Sequence, residues 1–133
     1  MFSLIAGLMS PPPGAARIAL GWTYGVVCHA IFAAAVLAMV VAMFFGMSRS
    51  LGTVPQPWAW LANLALLLQF PVAHSLLLSR YGRAVLSRLA PKPHAGTLST
   101  TTYAIIASLQ LLALFALWTP SGVIWWQASG AAF

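Results

Sequence analysis

The sequence predicts an all-α integral membrane protein, in which three transmembrane helices are accompanied by a short basic interfacial helix between the second and third. Three observations carry that expectation. Apolar residues make up 62% of the chain and charged residues 5%, against roughly half and a quarter in soluble domains. The apolar residues gather in three long runs. The few charges are all positive and fall outside those runs, with no Asp or Glu anywhere in the 133 residues, which read as a single membrane domain.

The elements follow in order. Residues 1–9 are apolar but lack a basic leader segment, and Pro11-Pro12-Pro13-Gly14 follows where a cleavage site would be sought, so a cleaved signal peptide is not expected. Span one covers residues 22–47, which at about 1.5 Å per residue reaches roughly 40 Å, enough to cross a hydrocarbon core of about 30 Å with tilt. A Pro55-Gln56-Pro57 turn leads into span two, residues 58–79, with Trp58 and Trp60 at the level of an aromatic belt. Pro71 withholds the helical donor of Leu67 and predicts a kink just beyond Gln69.

Span two is expected to continue into the interfacial helix, where Tyr81, Val85 and Leu89 recur every four residues and Arg80, Arg83, Ser87 and Arg88 fill the other side. Pro91-Lys92-Pro93 ends that helix, and Thr97, Ser99 or Thr100 is placed to cap span three, residues 98–118. Thr119-Pro120-Ser121-Gly122 terminates it, before an interfacial Trp125-Trp126 pair.

Charge sets the orientation. Arg80, Arg83, Arg88 and Lys92 lie between spans two and three and Arg17 precedes span one, whereas the first loop holds only Arg49. The positive-inside rule then puts the N-terminus and the basic helix in the cytoplasm and the C-terminus in the periplasm of a bacterial inner membrane. The four middle-loop cations are expected to reach anionic lipid headgroups. They are too few, and too close to apolar runs, to track nucleic acid.

Within the spans, small residues suggest helix contacts. Ala30, Ala34, Ala38, Ala42 and Gly46 form one series in span one, and Gly21, Gly25 and Ala33, interrupted by His29, form another. Such faces let backbones approach closely, and they serve either a contact within the chain or an interface with another subunit. Asn63, Gln69 and Gln110 are the amide residues of spans two and three; Gln69 and Gln110 both fall near the midplane and can hydrogen-bond across the helix pair, for about 1 kcal/mol.

Candidate chemistry is sparse. His29 sits about 10 Å along span one and His74 about 7 Å from the basic end of span two, so the two imidazoles share a level. A hairpin of these spans would permit a bis-histidine tetrapyrrole site, with Gly25 clearing room for the macrocycle. With no carboxylate to orient a histidine, and with Ser75 and Ser79 as ordinary helix residues, no nucleophile and base pair is legible. Cys28 stands alone and forms neither a disulfide within the chain nor a metal motif.

Ala73-His74-Ser75 at the end of a span, a basic helix, a Pro-containing loop, Thr101-Thr102-Tyr103 entering the next span and Trp118-Thr119-Pro120 at its exit together resemble the front half of the NnrU-like and methanethiol S-methyltransferase proteins. These belong to the wider isoprenylcysteine carboxyl methyltransferase-like group. The resemblance covers about residues 64–126. It departs where Ala73 replaces the family's glutamine, and where Leu98-Ser99-Thr100 replaces its acidic and basic residues. It implies a membrane fold that would serve an S-adenosylmethionine-dependent methyltransferase, whose cofactor site lies in a later half, around an Arg-His-Pro segment and an acidic residue, that these 133 residues do not include. On this resemblance the chain is a fragment, or a relative without catalysis.

From the residues themselves, the expectation is a non-catalytic accessory or structural subunit. Its partners would be other membrane protein subunits, in a complex such as a respiratory or photosynthetic one, and anionic lipids. The methyltransferase half and the tetrapyrrole-binding hairpin stand as the alternatives.

Overall fold

A computed structural model describes residues 14–92 and 94–123, which form four α-helices joined by turns and loops. These are α1 (Ala15–Phe44), α2 (Trp58–Leu78), α3 (Arg80–Leu89) and α4 (Ala95–Ala116). α1, α2 and α4, of 30, 21 and 22 residues, are each long and apolar enough to cross a membrane. The Pro11-Pro12-Pro13 segment, Pro93 and the Trp125-Trp126 pair lie outside the described residues.

α4 is the central helix. α1, α2 and α3 all pack on it and α2 also meets α3, but the backbone of α1 approaches neither α2 nor α3. Successive spans therefore do not form a simple hairpin: α1 and α2 occupy different sides of α4.

α1 begins seven residues before the expected start at residue 22 and ends at Phe44 rather than at residue 47. At its start the helix runs through Arg17, whose aliphatic stem lets a cation sit in the first turns of a spanning helix. At its end it is closed by a Schellman motif: the Gly46 N–H donates to the Met43 carbonyl (3.3 Å) and the Met47 N–H to the Ala42 carbonyl (2.7 Å). Gly46, at φ 59°, supplies the left-handed residue this closure needs. It is therefore a helix terminator, not the last member of a small-residue stripe.

α2 follows the Pro55-Gln56-Pro57 turn and runs through Pro71 to Leu78. It does not continue into α3. Ser79 is extended (φ −67°, ψ 170°), and its Oγ accepts the Gly82 N–H at 3.1 Å, as an N-cap does. The chain folds back so closely here that a Cβ on Gly82 would collide with the carbonyls of Leu76 and Leu77. Gly82, Leu86 and Ala90 face the protein, while Tyr81, Val85 and Leu89 are exposed. α3 thus carries two apolar sides, one docked and one free to enter a bilayer.

α4 starts at Ala95, not at residue 98, with His94 in the N-cap position and no side-chain cap. The expected caps are inside or beyond the first turn instead. Ser99 Oγ donates to the Gly96 carbonyl (3.1 Å), which satisfies the hydroxyl on its own helix. α4 ends at Ala116, two residues before the expected boundary at 118.

Candidate functional site: a polar ladder on the central helix

α2 and α4 run antiparallel, and three polar pairs join α2 to α4 and to the segment that directly follows it. Near one end Asn63 grips Thr119 with both arms of its amide: Nδ2 donates to the Thr119 carbonyl (2.8 Å) and Oδ1 accepts the Thr119 N–H (2.9 Å). In the middle, Gln69 Nε2 donates to the Gln110 carbonyl (3.0 Å). Gln110 Nε2 returns bonds to the Gln69 carbonyl (3.2 Å) and to Gln69 Oε1 (2.8 Å). Near the basic end, the Tyr103 hydroxyl lies 2.7 Å from Nδ1 and 2.8 Å from Nε2 of His74, whose ring also stacks on Phe70 with centroids 5.5 Å apart.

On the α1 side of α4 the chemistry is different. A single hydroxyl contact, Tyr24 Oη to Thr102 Oγ1 at 2.8 Å, crosses that interface, and Thr102 Oγ1 also donates to the Leu98 carbonyl (2.9 Å). The rest of the face of α1 turned inward includes Leu20, Cys28, Ile31, Ala35, Ala38 and Ala42, with Ala35 at 0% and Ala42 at 1% exposure. Of the expected small stripe only Ala42 is buried and Ala38 half-buried. Ala30, Ala33 and Ala34 are exposed. Beside Gly21 and Gly25, the space a Cβ would occupy has no atom within 4 Å. The second small series therefore borders an open edge of the helix.

The loop after α1 holds the far end of α4. Leu51 N–H donates to the Ala116 carbonyl (2.7 Å), the Ser50 hydroxyl donates to the Trp118 carbonyl, and a Cβ on Gly52 would strike the carbonyls of Leu117 and Trp118. Together with Asn63, this loop fixes residues 117–119 from two sides. Neither hydropathy nor spacing marks Tyr24, Ser50 or Gly52 as contact residues. Gly52, placed before a proline-rich turn, is the only one of them with a local signal.

The two candidate tetrapyrrole ligands are not brought together. His74 faces α4 and pairs with Tyr103, whereas His29 is exposed on α1, its Nδ1 2.7 Å from the Gly25 carbonyl. With the backbones of α1 and α2 nowhere close, the helical hairpin that a shared macrocycle requires is not formed. At the basic end Arg80, Arg83, Arg88 and Lys92 are all exposed, and Arg83 Nη1 also donates to the Leu78 carbonyl at 3.0 Å.

Chemically, this arrangement is built to join helices. Each rung pairs a donor with an acceptor across α2 and α4, and each such bond in a membrane contributes about 1 kcal/mol. His74 has Tyr103 as a proton partner but no carboxylate to fix its tautomer. Among the described residues no three His, Cys, Asp or Glu side chains cluster as a metal site would require. Compared with known proteins, the chain matches no family model, no curated protein and no solved structure.

Proposed function

We propose that this chain is a non-catalytic subunit of a larger membrane assembly and that it packs against another membrane protein through the Gly21, Gly25 and His29 edge of α1. The observation that best supports this reading is His29 itself. Ionisable residues within spanning helices ordinarily face protein, because lipid offers them no partner. His29 is exposed, and among the described residues only its Nδ1 has a hydrogen bond. The open flanks of Gly21 and Gly25 beside it give a second helix backbone room to approach closely. In this reading the chain sits in a bacterial inner membrane with the basic helix cytoplasmic, an orientation supported by five basic residues on that side against Arg49 alone on the other.

The test is purification from native membranes in a mild detergent. A larger membrane protein should co-purify with the wild-type chain and be lost from Gly25→Ile, with helix content unchanged. A wild-type chain that behaves as a partnerless monomer in lipid nanodiscs would contradict the reading.

A second reading is favoured by a different contact. Ala73-His74-Ser75 and Thr101-Thr102-Tyr103, the two motifs that resemble the methyltransferase group, meet through His74 and Tyr103. On that reading the chain is the membrane-embedded half of an S-adenosylmethionine-dependent methyltransferase. A native polypeptide much heavier than 14.1 kDa would support it, and a native mass of 14.1 kDa would contradict it.

A further inference from the structure

We infer that the groove between α1 and α4 at the end opposite the basic helix is a binding site for one anionic glycerophospholipid, its acyl chain in the groove and its phosphate on Arg49. The groove has a volume of about 480 Å³, with Leu37, Val41 and Phe115 as walls and Ala38 in its floor. It begins at Ala34, near the middle of α1, and runs toward the helix end. The seven steps from Ala34 to Val41 span about 10 Å at about 1.5 Å per residue, along the helix axis. An acyl chain lies in that direction in a bilayer, with its headgroup at the outer end.

The outer end of the groove is where Arg49 stands. Its guanidinium carbon lies 4.3 Å from the centroid of the Phe45 ring, and the 133 residues contain no carboxylate side chain to neutralise it. The Ser50 hydroxyl, also on the groove, is spent on the Trp118 carbonyl. Arg49 is therefore the cation left to receive an anion there, and a guanidinium matches two phosphate oxygens in a bidentate fork. An extended peptide would bring backbone N–H and C=O groups that these apolar walls cannot satisfy. A zwitterionic lipid carries its own ammonium in competition with Arg49, so net anionic headgroups bind better.

The site is tested by native mass spectrometry of the full chain released from nanodiscs of mixed phosphatidylglycerol and phosphatidylethanolamine. One phosphatidylglycerol should stay bound at collision energies that strip phosphatidylethanolamine. Arg49→Gln should lower that occupancy at least fivefold, Arg49→Lys less, and Ala38→Trp, which fills the groove, should also lower it. The triple variant R80Q/R83Q/R88Q should retain the lipid, and added inorganic phosphate should not displace it. Undiminished retention by a folded Arg49→Gln chain would overturn the inference, as would equal retention of both lipids, loss of the lipid in the triple variant, or its displacement by phosphate.

Discussion

The two long contacts of α4 are made by opposite means. Toward α2 it offers one amide, one hydroxyl and, just past its end, the Thr119 backbone, and three polar rungs, Asn63 with Thr119, Gln69 with Gln110 and His74 with Tyr103, fix the antiparallel register. Toward α1 it offers small and apolar surface with one hydroxyl contact, Tyr24 to Thr102. A polar rung holds only when donor meets acceptor, so the α2 contact is specific to one register. A small-residue contact holds wherever the backbones can approach, so α1 is fixed chiefly by close fit at Ala35 and Ala42. The difference separates a helix pair committed to each other from a helix with most of its circumference still available.

Substitutions should divide along that line. The largest effect should come from enlarging the sealed side of α1: Ala35→Leu, at 0% exposure, should destabilise the fold by about 1–3 kcal/mol through overpacking, whereas Ala34→Leu, one residue away and exposed, should change it by less than about 0.5 kcal/mol. Steric-trapping measurements of stability in bicelles would report both, and equal effects would erase the distinction between the two faces. Asn63→Leu comes next. It leaves both the N–H and the carbonyl of Thr119 without their partner and should cost about 1–2 kcal/mol.

Smaller effects test how the rungs work. Gln110→Leu alone leaves Gln69 Oε1 without its donor, although Gln69 Nε2 keeps the backbone carbonyl of residue 110, and should cost about 1 kcal/mol, while the double change Gln69→Leu with Gln110→Leu should cost less than the sum of the singles. A double-mutant cycle with no coupling would show that the middle rung does not hold α2 to α4. Tyr24→Phe, the counterpart on the other side of α4, should cost about 0.6 kcal/mol or less by the same stability measurement.

The three spans were legible because a run of twenty or more apolar residues matches the thickness of a bilayer core and exceeds what a soluble core helix needs. Their neighbours were not, because hydropathy carries no information about which helix lies in the middle. The small series Ala30, Ala34, Ala38 and Ala42 meets α4 only in part, for a geometric reason. At about 100° per residue, a strict series of every fourth residue drifts about 40° at each step, so Ala30 and Ala42 lie about 120° apart around the helix. The face that meets α4 mixes threes and fours: Tyr24, Cys28, Ile31, Ala35, Ala38, Ala42.

Gln69 and Gln110 were recognisable because amides are rare in a span, and the bonds between them fit their shared depth. The break at Ser79 had no proline to announce it. Its signal was Gly82, three residues on, where only a residue without a Cβ lets α3 fold back against Leu76 and Leu77.

The claim that α1 keeps an open edge for another protein is most directly tested by photo-cross-linking in native membranes, with p-benzoylphenylalanine placed at Gly25 and, as a control, at Ala34 on the other exposed side. A discrete adduct with a second polypeptide is expected from position 25 and not from position 34. Adducts with lipid alone at position 25 would contradict it.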